Sequence, residues 1–233
     1  MNEQEFINQL KQQGIELTAL QIEQFKKYYE LLVEWNQKMN LTAITDQEGV
    51  YLKHFYDSLT IAFNFKFNNQ KIIDVGAGAG FPSIPLKIVY PDLKVTIVDS
   101  LTKRITFLNH LFKELKLTDC QAISARAEEY AKDHRQEADI VMARAVARLN
   151  ILDELCLPLV KVNGYFLALK GLKAKEELKE ASNGIKILGG RVDEVIDFTL
   201  TNDAHRSNIT IKKGKATPGK YPRMFSKSKT QPL

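Results

Sequence analysis

Apolar positions recur at helical spacing through the first seventy residues. Phe6, Ile7 and Leu10 share one helical face, and Gly14 ends that helix. Thr18 and Gln21 form a capping-box pair ahead of a second helix. Its apolar face carries Ile22, Phe25, Tyr29, Leu32 and Val33, opposite Glu23, Lys26, Lys27, Glu30 and Glu34. The stretch WNQKMNLTAIT interrupts the pattern. Thr45 and Glu48 then predict a further capping box, opening a helix through Tyr51, Phe55, Leu59 and Ala62, and NFKFNNQ predicts a loop.

From Lys71 short apolar runs alternate with amphipathic ones. KIIDVG, KVTIVD (94–99), CQAIS (120–124), ADIVMAR (138–144) and GYFLALKG (164–171) predict strands. Between them, 82–90, 102–116, a short run from Ala127, and 149–160 predict helices, with Pro82 suited to a first turn. Residues 173–183 predict a charged helix, and two last strands fall near 191–200 and 207–213. Alternating units of this length imply an α/β fold with a parallel sheet and helices on both faces. The expected organisation is a helical lobe over 1–66, the sheet domain over 67–213 and a tail over 214–233.

Composition narrows the class. With 233 residues, 44% hydrophobic and 26% charged, the chain can bury a core without disulfides or a structural metal. No apolar run approaches the roughly 20 residues of a bilayer span, and MNEQEFINQL lacks the basic start and apolar run of a signal peptide. A cytoplasmic protein with no membrane partner is expected, with Cys120 and Cys156 as reduced thiols. The net charge of +5 is unevenly spread: residues 1–70 carry −3, residues 71–203 are neutral, and residues 204–233 carry eight bases and no acid. A basic terminus points to nucleic acid, or else to a solvated tail.

The strongest local signal is Asp74-Val-Gly76-Ala-Gly78-Ala-Gly80-Phe81-Pro82, between the first strand and a helix. Glycines let a backbone turn sharply and approach a ligand. Asp99 ends the second strand, where a carboxylate can accept ribose hydroxyls. No phosphate-binding GxxxxGK[ST] is present, and Phe81 stands where a dinucleotide fingerprint needs glycine. Asp74 would repel a pyrophosphate but suits the sulfonium and amino group of S-adenosylmethionine; the plainer alternative is a tight turn with Asp74 bonded to backbone.

The fourth strand ends in Arg144, with no [DN]PP[YFW] for an exocyclic amine and no cysteine nucleophile. Arg144 can hold a base edge, phosphate or carboxylate by two points, or serve as a structural ion pair. His54, His110, His134 and His205 lack metal-ligand spacing, so no metal is expected, and His54 with Asp57 reads as a packing pair. Trp35 reads as an anchor of the helical lobe, and Asn36 and Asn40 as helix caps or groove residues.

DVGAGAGFPSIPLKI, IVDSLTKRITFL, ARAEE and ARAVARL, with WNQKMNLTAIT, HFYDSL and KATPGKYPR, resemble the bacterial small-subunit (16S) ribosomal RNA guanine-7 methyltransferases, the glucose-inhibited division protein B family. The resemblance covers nearly the whole chain. It implies a Rossmann-like class I methyltransferase sheet, mostly parallel with an antiparallel last strand. It implies S-adenosyl-L-methionine as cofactor and small-subunit rRNA, or the subunit itself, as partner of a monomer. Gly76 and Phe81 would contact the cofactor, Ala127 and Glu128 would lie beside its adenine, and Arg144 would reach cofactor or target base. Asp74, Gly78 and Asp99 fit the loop-and-ribose reading. After Arg223 the chain departs from the family pattern with Met224-Phe225-Ser226. The rival classes are an NAD-dependent oxidoreductase, disfavoured by Phe81, and a non-catalytic RNA-binding module.

Overall fold

A computed structural model describes residues 1–201 and 203–233. Its sheet has seven strands: β1 (Lys71–Val75), β2 (Lys94–Asp99), β3 (Cys120–Ser124), β4 (Ala138–Arg144), β5 (Val160–Lys170), β6 (Gly190–Thr199) and β7 (His205–Lys213). The order is β3-β2-β1-β4-β5-β7-β6. β1 to β5 pair in parallel, and β7 runs antiparallel between β5 and β6.

Strand alternation sorts the side chains into two cores. Ile72, Ile140, Met142, Leu167 and Leu169 face one cluster; Ile73, Val141, Ala143, Phe166 and Ala168 face the other. The first face is covered by α1 (Glu3–Gln12), α2 (Ala19–Met39), α5 (Ser83–Val89) and α6 (Thr102–Glu114). The second is covered by α7 (Ala127–Asp133), α8 (Leu149–Cys156) and α9 (Ala174–Ile187). The N-terminal helices thus share their core with the sheet: Phe6, Phe25, Tyr28 and Phe55 sit in the same cluster as Ile84, Phe107 and Ile140. Trp35 packs on Phe107 and His110, with ring centroids 5.7 and 5.0 Å away.

Helix ends differ from the sequence expectation in several places: α8 ends at Cys156, not 160, α9 runs on to Ile187, not 183, and both sides of WNQKMNLTAIT differ. α2 runs through Trp35 to Met39 and stops at Asn40 in the left-handed conformation, so WNQKM is helical. The helix expected to open at Thr45 is capped by Asp46, whose Oδ1 accepts from Gly49 N–H at 2.7 Å. That helix, α3 (Gln47–Val50), continues into a π-helical turn over Tyr51–Tyr56, then α4 (Asp57–Leu59) and a 3₁₀ turn over Thr60–Phe63. A π turn rotates the following side chains and often marks a functional site. Here it carries His54 and precedes Asp57.

The basic tail is folded onto the second face. Tyr221, Thr217 and Ser228 are buried, and the last element is α10 (Phe225–Thr230). No helix among the described residues is long and apolar enough to cross a membrane.

Candidate functional site

The parallel strands all end at one edge, and connections diverge there between β1 and β4. A crevice at such a switch point is where α/β sheets bind ligands. A cavity of about 450 Å³ lies there. Gly76, Gly78 and Phe81 line it from the loop after β1, Asp99 from β2, Ala127 and Glu128 from the start of α7, and Arg144 from β4. The structure therefore brings seven of the eight sequence-expected site residues to one cavity.

The eighth is displaced. Asp74 is fully buried behind the loop and does not line the cavity. Its Oδ2 accepts the Ser83 N–H at 3.0 Å at the first residue of α5, while Oδ1 has no partner among the described residues. Burial pushes its carboxyl up to about 7, opposed by Ser83 and then Arg144. Asp74 thus takes the plainer of its two sequence readings, a carboxylate bonded to backbone that secures the turn from β1 into α5.

The glycine loop needs its glycines at specific points. Gly76 and Gly78 have φ of 72° and 61°, in the left-handed region that disfavours side chains. A Cβ on Gly76 would meet Val146 Cγ2 at 2.7 Å, whereas one on Gly78 would enter open space. Gly78 N–H donates to Asp99 Oδ2 at 3.1 Å, tying loop to second strand. Asp99 also accepts from Leu101 N–H at 3.0 Å and Arg104 Nη1 at 3.0 Å.

Phe81 is the floor of the other end. Tyr28 stacks on it at 5.4 Å and His54 at 4.5 Å, with interplanar angles of 13° and 16°. The Tyr28 hydroxyl donates to the Ala79 carbonyl at 2.6 Å, so α2 pins the loop from outside the sheet. The Arg144 guanidinium lies 5.1 Å from the Phe81 ring.

Arg144 is fixed by the π-helical turn and the start of α4. Its Nη1 donates to the Lys53 carbonyl at 2.9 Å and to Asp57 Oδ2 at 3.1 Å. Its Nη2 lies 3.2 Å from His54 Nδ1. A guanidinium only donates, so Nδ1 accepts and the His54 proton is on Nε2, which donates to Thr42 Oγ1 at 2.8 Å. Burial and then the Arg144 charge hold the imidazole down to about 3, keeping it neutral. Asp57 accepts in addition from Arg206 Nε at 2.9 and 3.1 Å. His54 and Asp57 are therefore both partners of Arg144, not a packing pair with each other. Asn36 takes the capping role, accepting the Thr42 N–H at 2.8 Å.

A second cavity of about 570 Å³ adjoins the first. The two share Arg144, Ala145, Val146 and His54 as a common wall. The second also presents Lys53, Arg148, Lys170 and Arg206, with Asp57 and Glu177, so its lining is net positive. Among the described residues no group of three or more His, Cys, Asp or Glu is arranged to hold a metal ion. Sequence reasoning missed Lys53, Arg206, Val146 and Phe225 as cavity residues. Phe225 had one signal: with Met224 it forms an apolar pair inside a basic run.

A family profile described as rRNA small subunit methyltransferase G matches residues 21–206. A ribosomal RNA small subunit methyltransferase G of Exiguobacterium sibiricum is 54% identical over 237 aligned residues, covering 100% of both chains. One from Staphylococcus epidermidis is 60% identical over 227 residues, covering 96% of this chain and 95% of the relative. Among solved structures, a SAM-dependent methyltransferase from Aquifex aeolicus superimposes with a TM-score of 0.56 at 15% identity, covering 75% of this chain and 97% of the other. That likeness extends the fold assignment: a mostly parallel Rossmann-like sheet with one antiparallel strand. On full-length identity and the profile match together, the chain belongs to the rRNA small subunit methyltransferase G family.

Proposed function

We propose that the protein transfers a methyl group from S-adenosyl-L-methionine to ring nitrogen 7 of a guanine in small-subunit (16S) rRNA. The observation that carries the reading is the pair of adjoining cavities with Arg144 in their shared wall. One cavity has the shape and donors for a nucleoside-bearing methyl donor; the other is open and cationic, as an RNA nucleotide requires.

The residues present fit the cofactor. Gly78 leaves open space where a side chain would stand, so a ligand can approach the backbone. Asp99 offers a buried carboxylate for ribose hydroxyls. Three donors already reach it, and Arg104, the half-buried one, is the donor a hydroxyl would displace. Gly76 and Phe81 hold the loop and floor, and Ala127 and Glu128 lie at the side where an adenine would rest.

When bound, the cofactor supplies an electrophilic methyl group on a sulfonium. Nitrogen 7 of guanine carries an in-plane lone pair and no proton, so its attack needs neither a general base nor a covalent intermediate. The chain's task is to align and to exclude water. Neutral His54 agrees with this, since it is already engaged at both ring nitrogens and has no proton-transfer role to fill. Arg144 positions the acceptor side of the wall. In this reading the lobe over 1–66 supplies the partners that fix Arg144, the domain over 67–213 holds the cofactor, and the basic tail over 214–233 meets RNA phosphates, which position without reading sequence.

The test is incorporation of a labelled methyl group into 16S rRNA, naked or in the small subunit, followed by chemical cleavage at 7-methylguanine. Calorimetry with S-adenosylmethionine and with NAD runs beside it. Label found only at an exocyclic or carbon position, or uptake of NAD in preference, would sink the assignment.

A further inference from the structure

α10 is the last element of the chain, yet its first residue, Phe225, lines the cavity at the strand ends. The segment leading to it is fixed from below. Arg223 Nε and Nη2 donate to Glu154 Oε1 and Oε2 at 2.8 and 2.6 Å, and the Arg223 N–H donates to Oε1 at 2.7 Å. Glu154 is fully buried in α8, next to Leu155, which also lines the cavity. Arg135 Nη2 holds the Thr217 carbonyl at 2.7 Å. The run that carries the exposed Lys215, Lys220, Lys227 and Lys229 is therefore docked.

Phe225 belongs to the same apolar cluster as Ala125, Ala127 and Leu155, on the α7–α8 side of the sheet. Leu41 and Phe81, at the other side of the cavity, belong to the opposite cluster. The cavity has an apolar end closed by the C-terminal segment and a hydrogen-bonding end at Arg144. A nucleoside base has apolar faces and fits the first end; an aromatic ring covering it removes apolar surface from water.

We propose that Phe225 is a wall of the S-adenosylmethionine site that packs on the adenine, and that docking of the C-terminal segment and cofactor binding reinforce one another. This rests on the methyltransferase reading above. A ligand that touches Phe225 gains that contact only in the docked state. By reciprocity, the factor by which docking tightens the cofactor is the factor by which the cofactor tightens docking.

The experiment is calorimetry with S-adenosylmethionine on the full chain. Phe225→Ala weakens binding about tenfold, Phe225→Trp stays within about threefold, and Arg223→Ala, which frees the segment but leaves the ring, also weakens it. A second readout is tryptic cleavage between Lys215 and Lys229. The cofactor slows it in the natural protein and much less in Phe225→Ala, although the two unliganded proteins melt within about 2 °C of each other. Natural affinity in Phe225→Ala, or in Arg223→Ala, overturns the proposal while leaving the reaction assignment standing. So does a cleavage rate indifferent to cofactor. A natural protein that takes up no S-adenosylmethionine overturns both.

Discussion

Arg144 makes three hydrogen bonds to Lys53, His54 and Asp57 and lies over the Phe81 ring. Lysine keeps the charge but cannot span Lys53, His54 and Asp57 at once. Arg144→Lys therefore lowers methyl incorporation by at least about a hundredfold through misalignment. The stability loss is limited to about 1–3 kcal/mol, because Arg206 still holds Asp57. Single-turnover labelling and guanidinium denaturation read the two effects, and natural turnover in the variant would contradict the positioning role. A second residue carries a pH signature. Asp153 is fully buried below α9, where Gly184 leaves it room, and its Oδ2 has no partner among the described residues. Burial pushes its carboxyl up to about 7 from the usual 3.8. Folding therefore takes up a proton between those values: the contribution is full below about pH 4 and is lost as pH rises through 7. Asp153→Asn lacks that loss, so relative to the natural protein it gains stability between pH 5 and pH 8, on the order of 1 kcal/mol or more. Denaturation at both pH values checks this, and an equal difference at the two contradicts it. The places of Arg144 and Asp99 at strand ends beside the cavity were legible. Their partners were not, because Asp57 and His54 lie 87 and 90 residues from Arg144 and Arg206 lies 149 from Asp57. For Asp74 the motif left two roles open, since a carboxylate beside a glycine loop can serve backbone as well as ligand, and the bond to Ser83 is the one the structure shows.

Elements follow the pattern closely where burial enforces it. β2, β3 and β4 have the limits their apolar runs predict: β2 and β4 are held on both sides by neighbours, and β3, at the sheet edge, pairs with β2 from Cys120 to Ser124. β5 starts earlier than GYFLALKG because Val160 pairs with Ala138 across a register shift; Val160-Lys161-Val162-Asn163 does alternate, but the helix expected over 149–160 took its first residue. The π-helical turn was illegible: it changes hydrogen-bond spacing without changing residue types, yet it sets where His54 and the Lys53 carbonyl point. The glycine loop was legible as a motif, but not which glycine does what. Gly76→Ala meets Val146 and a positive φ together, so it costs about 2–3 kcal/mol of stability. Gly78→Ala meets no protein atom and carries only the strain of its φ, about 1 kcal/mol. Because Gly78 lines the cavity, its methyl occupies ligand space, and the expected loss falls on S-adenosylmethionine affinity. Calorimetry and denaturation on both variants should show opposite rankings in the two measurements; the same ranking in both would mean the loop is one rigid unit with no division of roles.

For the whole molecule, the uneven charge seen in the sequence survives folding only in part. Of the eight bases in residues 204–233, Arg206 is bound to Asp57, Arg223 to Glu154, and Lys213 is buried, donating to the Leu157 carbonyl at 2.5 Å. Those three hold the fold together, which sequence counting cannot reveal because their partners lie on distant elements. Lys215, Lys220, Lys227 and Lys229 remain exposed on the docked segment. Cutting the tail off would also strip Glu154 of its partner and remove the buried Tyr221 from the core, so truncation confuses folding with binding. Replacing the four exposed lysines by glutamine keeps every buried anchor. If they meet phosphates, the slope of log affinity for 16S rRNA against log salt falls by about 3, and affinity at low salt falls with it. S-adenosylmethionine affinity stays within about twofold, since none of the four lines the cavity. Filter binding across a salt series decides the matter: an unaltered slope would place the RNA contacts on the cationic cavity beside Arg144 and leave the tail as a cofactor-side strap alone.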